Sequence, residues 1–214
     1  MRPTLLGLLL AALAHSSASA DQPKPIAIGA KAPDFRNLPA VLGDRETTIS
    51  LADIKEDVVV IVFLGNHCPF VTMVEDRLID LANDYAAKSV KLIGVCVTPL
   101  PASADAGYQD YAEQDTFPRI KERVQQKGYN FLYARDDSQA IGRGFGPKVT
   151  PHAYVLDKNR VVRYSGAIDD NIQNEHEVKK TYLRDAIDAV LAGRDLAVTQ
   201  TEAIGCPINY LDTP

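Results

Sequence analysis

The sequence has 214 residues, which suits one domain with extensions but is short for two domains. Hydrophobic residues make up 46% and charged residues 24%, an ordinary globular composition that excludes a disordered, collagen-like or disulfide-dense chain. The formal net charge is −5 at pH 7, and an acidic protein does not attract phosphate backbones. We therefore expect no nucleic acid partner.

The start of the chain has the pattern of a secretory leader. Arg2 supplies a positive charge, the apolar stretch 5–13 is too short to span a bilayer, and Ala18-Ser19-Ala20 is a small-residue cleavage site. We predict a signal peptide at 1–20, a folded domain at 21–194 and a tail at 195–214. The mature protein is then exported, periplasmic or secreted, with no membrane insertion after cleavage.

The first half of the mature chain predicts a β-strand, a helix and a second β-strand. A Pro-rich stretch at 21–29 indicates an extended arm. The run 58–64 is continuously apolar and β-branched, which is typical of a central strand buried on both faces. Apolar residues at helical spacing predict an amphipathic helix over 69–88, and a second buried strand at 90–98 completes a βαβ unit with parallel strands.

The second half alternates helical and strand patterns. Helices or helical turns are predicted at 118–127, 138–145 and 174–192, and strands at 131–134, 153–156 and 160–164. The last two strands flank the turn Asp157-Lys158-Asn159 and predict an antiparallel hairpin. This order of elements indicates an α/β protein with a central mixed sheet flanked by helices.

Four short motifs occur in an order that resembles one superfamily. They are Asn66 to Phe70, Gly146 to Pro151, Gly166 to Asn171 and the late Gly205-Cys206, and the stretch Gly29 to Phe35 precedes them. Together they resemble the thioredoxin-like redoxins, a group that includes the alkyl hydroperoxide reductase/thiol-specific antioxidant and TlpA-like proteins. The resemblance covers most of the mature chain. It implies a thioredoxin fold with an N-terminal extension and a C-terminal tail, and a thiol-based redox function.

One position departs from this resemblance. Where the related proteins carry the first cysteine of a Cys-x-x-Cys motif, this sequence has Gly65, so the usual dithiol cannot form with Cys68. We expect Cys68 to lie in the first turn of a helix. There, the helix dipole and a protonated His67 would stabilise its thiolate. The alternative is a buried, inert thiol.

The resemblance also predicts a groove around Cys68. It places Thr150-Pro151 opposite Cys68 with the proline in the cis form, and the missing N–H of the proline leaves room for a substrate backbone to pair nearby. The predicted substrate-binding residues are Gly65, Asn66, Pro69, Val149, Thr150 and Pro151.

The other two cysteines receive different predictions. Cys96 lies in an apolar run and is assigned to the core. Cys206 lies in a tail that looks flexible, and it either swings to Cys68 as a resolving thiol or stays a free or intermolecularly bonded surface cysteine. We predict no cofactor and no metal. A soft cluster for copper or zinc would require Cys68, His67, His152 and Cys206 to meet.

Two functions from different classes follow from these residues. The first is an exported redoxin with Cys68, His67 and Cys206 as catalytic residues, which reduces a peroxide or exchanges with a protein disulfide and is recycled by an external thiol. The second is a non-catalytic module that binds a peptide in the proline groove, or copper on its thiol and histidines. The loss of the dithiol at Gly65 favours this second function.

Overall fold

The computed structural model describes residues 22–104 and 106–211, so the predicted leader and its cleavage site lie outside the described residues. The strands of the described chain are β1 (Leu38–Leu42), β2 (Arg45–Ile49), β3 (Val58–Leu64), β4 (Val90–Cys96), β5 (Leu132–Arg135), β6 (Val149–Thr150), β7 (His152–Leu156), β8 (Val162–Gly166) and β9 (Cys206–Pro207). The α-helices are α1 (Pro69–Thr72), α2 (Glu75–Tyr85), α3 (Gln109–Gln114), α4 (Phe117–Lys127), α5 (Ala140–Phe145) and α6 (Tyr182–Leu191).

Seven of these strands form one mixed sheet, in the order β2-β1-β5-β4-β3-β7-β8. The central strand β3 pairs in parallel with β4 and antiparallel with β7, and all of its residues are buried. The remaining strands, β6 and β9, form a separate two-stranded sheet. The predicted thioredoxin fold, an α/β fold with a central mixed sheet flanked by helices, is confirmed.

The side chains of β3 alternate between two hydrophobic clusters, as the period of a strand requires. Its even-numbered residues pack with the apolar faces of α2, α4 and α6. Its odd-numbered residues pack with α5 and with the C-terminal segment of the chain. That segment contributes Ile208 and Tyr210, which are 6% and 2% exposed. The end of the described chain is therefore part of the core.

The predicted helix over 69–88 is divided in two. The first helix ends at Thr72, and α2 begins at Glu75. The carboxylate of Glu75 is buried at this start, and Arg123 of α4 binds it through two hydrogen bonds of 2.6 and 2.7 Å. The division thus places an ion pair between the start of α2 and the neighbouring helix α4.

The predicted helix over 174–192 begins eight residues late, at Tyr182. The backbone N–H groups of Lys179 and Lys180 donate to the carboxylate of Asp170 at 2.8 and 3.1 Å. These bonds hold the chain outside a helix before Tyr182, and a short 3₁₀ turn at Glu175–Glu177 precedes them.

The sequence analysis missed the β1–β2 hairpin. The two strands pair from Leu38 with Ile49 to Leu42 with Arg45, across the turn Gly43-Asp44. A glycine at the first turn position was the available signal. In the part of the chain that the structure describes, no helix combines the length and apolar character that a membrane span needs.

Candidate active site

Cys68 lies where the chain leaves β3 and enters α1. It is the N-cap residue of this four-residue helix, and its side chain makes no capping hydrogen bond to the helix. The residue is 0% exposed, and its sulfur donates to the carbonyl oxygen of Thr150 at 3.1 Å. The expected contact between Cys68 and the Thr150-Pro151 segment is present, and that peptide bond is cis.

Cys206 lies on the other side of Thr150. In the β6–β9 pair, Thr150 is opposite Cys206 and Val149 is opposite Pro207. The Cys206 thiol is partly exposed to solvent, and it is near enough to Cys68 for that residue to raise its pKa. The fold therefore brings the two predicted redox cysteines together, and both are free thiols in this structure.

The segment that carries Cys206 is anchored on both sides, which corrects the expectation of a flexible tail. Before Cys206, the Thr201 hydroxyl forms hydrogen bonds with the Tyr164 hydroxyl at 2.7 Å and the Ala167 N–H at 2.9 Å. After it, the Tyr210 hydroxyl donates to the carbonyl of Pro147 at 2.9 Å. Buried apolar side chains and these bonds fix the segment, so Cys206 does not need to swing to meet Cys68.

The surroundings of Cys206 disfavour its charged form. Burial raises its pKa to about 12, and the interaction with the neighbouring Cys68 acts in the same direction. The physical reason is that two adjacent thiolates repel each other and are poorly solvated. Cys206 therefore stays protonated well above neutral pH.

Cys96 is a core residue, as predicted. It is 0% exposed, and its sulfur accepts a hydrogen bond of 3.4 Å from Arg135. Burial raises its pKa to about 12, with a further contribution from the charge of Asp115. A thiol without access to solvent is unreactive in the folded protein.

Both ring nitrogens of His67 have partners other than Cys68. Its Nδ1 lies 2.5 Å from a carboxylate oxygen of Asp115, and its Nε2 lies 3.1 Å from the hydroxyl of Tyr108. The three side chains form a Tyr108–His67–Asp115 chain beside the site. The predicted stabilisation of a Cys68 thiolate by His67 stays a prediction.

Asp115 is the site residue that the sequence analysis missed. It is 0% exposed, and besides His67 it accepts hydrogen bonds from the Thr98 hydroxyl at 2.6 Å and from the backbone N–H of Asn66. The Asn66 side chain donates to the carbonyl of Gln114 at 3.0 Å. Asp115 thus orders the loop before Cys68, and no motif in its own neighbourhood marked it.

The predicted substrate-binding residues divide into three groups. Asn66 faces the Asp115 loop, and Gly65 is buried beside His67. Pro69 is exposed at the start of α1. The β6 residues Val149 and Thr150 pair with β9, so this chain already occupies their backbone edge.

Pro151 lines a cavity of about 280 Å³, and neither Cys68 nor Cys206 is among its lining residues. Its walls come from the start of α2, the loop after β8, and the C-terminal segment. The residues of that segment in the wall are Thr201, Glu202 and Ile204, and Ile204 is 60% exposed.

The proposed soft metal cluster does not assemble in the structure. The Nε2 of His152 lies 2.9 Å from the Ser165 hydroxyl, and its ring stacks on Tyr154. Burial lowers the pKa of His152 to about 4, so the ring is neutral at pH 7. Within residues 22–104 and 106–211, no group of three or more histidine, cysteine or acidic side chains is placed to hold a metal.

Comparison with known proteins gives a consistent family. The model of the AhpC/TSA family matches residues 28–165. A hypothetical protein from Sinorhizobium meliloti 1021 is 30% identical, with 87% of this chain and 96% of that chain covered and a TM-score of 0.74. An uncharacterized conserved protein from Geobacillus kaustophilus is also 30% identical, with coverages of 88% and 94% and a TM-score of 0.75.

A more distant structure shares the fold. It is a putative thiol:disulfide interchange protein DsbE from Chlorobium tepidum, 20% identical over 78% of this chain and 99% of that chain, with a TM-score of 0.52. No curated protein matches the sequence.

Proposed function

Since the chain belongs to the AhpC/TSA family, we propose that it performs thiol-based redox chemistry with Cys68 and Cys206 as its working pair. The observation that carries the proposal is the position of both cysteines at Thr150: the Cys68 sulfur donates to its carbonyl oxygen at 3.1 Å, and Cys206 lies opposite it in the β6–β9 pair. This pair replaces the Cys-x-x-Cys dithiol that Gly65 removes. The protein then cycles between a dithiol and a Cys68–Cys206 disulfide.

The oxidation of this pair releases two electrons and two protons. With a hydroperoxide, the thiolate that attacks becomes a sulfenic acid and an alcohol or water leaves, and the second thiol then displaces water to form the disulfide. With a disulfide, the first thiol forms a mixed disulfide and releases one thiol, and the second thiol releases the other. An external thiol reductant returns the protein to the dithiol.

The two sulfurs differ in their access to solvent. Cys68 is 0% exposed, whereas Cys206 is partly exposed. Thiol–disulfide exchange requires the attacking and attacked sulfurs to meet, so access selects Cys206 as the sulfur that reacts with external thiols and disulfides. Cys68 is then the inner partner, which closes or leaves the protein disulfide. These roles reverse those that the sequence suggested.

We further propose that the protein is exported after removal of residues 1–20. A leader-like pattern at the start of the chain and a working disulfide both fit an oxidising compartment. In such a compartment, a surface-accessible dithiol encounters oxidants and needs a reductant supplied from outside the protein.

The proposed function is tested by oxidation of the reduced full chain. We expect limiting hydrogen peroxide, or a small disulfide such as 2-hydroxyethyl disulfide, to produce a Cys68–Cys206 disulfide that peptide mapping identifies. The Cys96→Ser variant is the matched control, and it should form the same disulfide at the same rate because Cys96 is a core residue. If neither oxidant links Cys68 to Cys206, the redox proposal is wrong and the binding module replaces it.

A further inference from the structure

The β6 strand has one backbone edge beside the sulfur pair, and the chain itself occupies that edge. Cys206 and Pro207 pair antiparallel with Thr150 and Val149, and the pairing continues through a 2.9 Å bond from the Ile208 N–H to the Lys148 carbonyl. Extended peptides bind proteins by adding a strand to a free edge of this kind. The C-terminal segment therefore stands where the backbone of a peptide substrate would pair.

The fit between the two strands is close. A β-carbon built on Gly205 would overlap the carbonyl of Thr150, so only glycine allows this approach. A second close approach occurs upstream, where a β-carbon on Gly166 would overlap Thr201. Because the segment is held on both sides of Cys206, displacing it would break several hydrogen bonds and expose the buried Ile208 and Tyr210.

The space that remains beside Pro151 is small. The cavity there has a volume of about 280 Å³, at the lower end for small-molecule sites, and the C-terminal segment forms one of its walls. A space of this size accommodates a small molecule. An extended chain needs an open groove with a free strand edge along it.

We infer that residues 199–208 act as a built-in strand that restricts the redox site to small oxidants and excludes extended polypeptides. This inference rests on the proposed function, since it concerns which molecules reach the Cys68–Cys206 pair. For a small disulfide, Cys206 attacks one sulfur and releases the first thiol. Cys68 then attacks the Cys206 sulfur and releases the second, so that the two cysteine protons end on the two released thiols.

Two probes with the same reacting group test the inference. The short probe is the tripeptide Gly-Cys-Gly joined to 2-mercaptoethanol by a disulfide, and the long probe carries the same tripeptide at the centre of a strand-forming peptide. The measurement is the rate at which each probe converts the reduced full chain to the Cys68–Cys206 disulfide. We expect the short probe to react about tenfold faster or more, because the free edge that the long probe needs is taken.

Variants that weaken the pairing of β9 with β6 should reduce the difference between the reaction rates of the two probes. Gly205→Ala forces β9 away from Thr150, and Thr201→Ala removes the hydroxyl that anchors the segment to Tyr164 and Ala167. Each should raise the rate of the long probe relative to that of the short probe. Asp195→Asn is the matched control, because Asp195 is fully exposed and its nearest charged partner is 3.8 Å away. It should leave the ratio unchanged.

The outcomes separate the two proposals. If both probes form the Cys68–Cys206 disulfide at equal rates, the redox function stands and the inference is wrong. The inference also fails if neither Gly205→Ala nor Thr201→Ala changes the ratio of the two rates. If Gly205→Ala does not fold, Thr201→Ala alone provides this test. If neither probe forms the disulfide, the proposed function itself fails.

Discussion

The imidazole of His67 occupies the space beside the α-carbon of Gly65. A β-carbon built on Gly65 would lie 3.0 Å from Cε1 and 3.2 Å from Nδ1 of this ring, and 3.2 Å from a carboxylate oxygen of Asp115. The position where the family resemblance predicts a cysteine is thus closed by a histidine–carboxylate pair.

Replacing Gly65 by a residue that has a β-carbon should therefore destabilise the protein. We expect Gly65→Ala and Gly65→Cys to lower the free energy of unfolding by about 1–2 kcal/mol, because His67 is held by Asp115 and Tyr108 and cannot move aside freely. Urea unfolding measures the change. Gly107→Ala is the control, since a β-carbon there meets no atom within 4 Å and should change the stability little. Equal stabilities of the Gly65 and Gly107 variants would contradict the close fit.

The reactivity of Cys206 should depend on its neighbour. Because burial and Cys68 raise the pKa of Cys206 to about 12, its alkylation rate should rise about tenfold per pH unit across the neutral and mildly alkaline range. Replacing Cys68 by serine removes the neighbouring sulfur, so the pKa of Cys206 falls and its alkylation at pH 8 becomes faster. Iodoacetamide labelling followed by mass spectrometry measures both rates.

The control for this experiment is Cys96→Ser. Cys96 is 0% exposed and does not contribute to the raised pKa of Cys206, so its replacement should leave the labelling of Cys206 unchanged. A Cys68→Ser variant that labels at Cys206 no faster than the parent chain would show that the two thiols do not interact.

His152 should make the stability of the protein fall in acid. Its pKa is lowered from 6.5 to about 4, so the folded state binds its proton less readily than the unfolded state. The contribution of the neutral ring to the free energy of unfolding is fully present above pH 6.5 and is lost as the pH falls through about 4. The full effect corresponds to about 3 kcal/mol.

Unfolding in urea at several pH values tests this contribution. His152→Asn should flatten the decline of stability between pH 6.5 and 4, since the titrating group is gone. His176→Gln should keep the decline of the parent chain, because His176 is exposed in the 3₁₀ turn. An unaltered slope in His152→Asn would mean that the ring is protonated as easily in the folded state as in the unfolded state.

The leader prediction is tested in the native host. We expect the intact mass of the recovered protein to correspond to a chain that begins at Asp21, because the apolar stretch and the small-residue site precede it. An Ala18→Arg, Ala20→Arg double variant should retain the leader, since small residues at these positions are what the cleavage site requires. A native protein that retains Met1 would remove the basis for export.

The sequence by itself determined the central elements of the fold. A β-branched apolar run at β3 and a second, mostly apolar strand pattern at β4, with helical spacing between them, allow few structures other than parallel strands joined by a helix. The family resemblance carried by the motifs around Cys68 and Pro151 implied that these two residues lie together. Such patterns are readable because they depend on local periodicity and on residue types at fixed spacing.

Tertiary structure alone decided the chemistry around Cys68. The His67 ring pairs with Asp115, which lies 48 residues later in the chain. Cys206 belongs to the two-residue strand β9 and pairs with Thr150 of β6, far upstream. The residues around each partner do not indicate either pairing. Packing and the need to satisfy buried polar groups decide which carboxylate is buried and which strands pair. The segment around Cys206 looked flexible in sequence because its order comes from the burial of Ile208 and Tyr210 against a distant core.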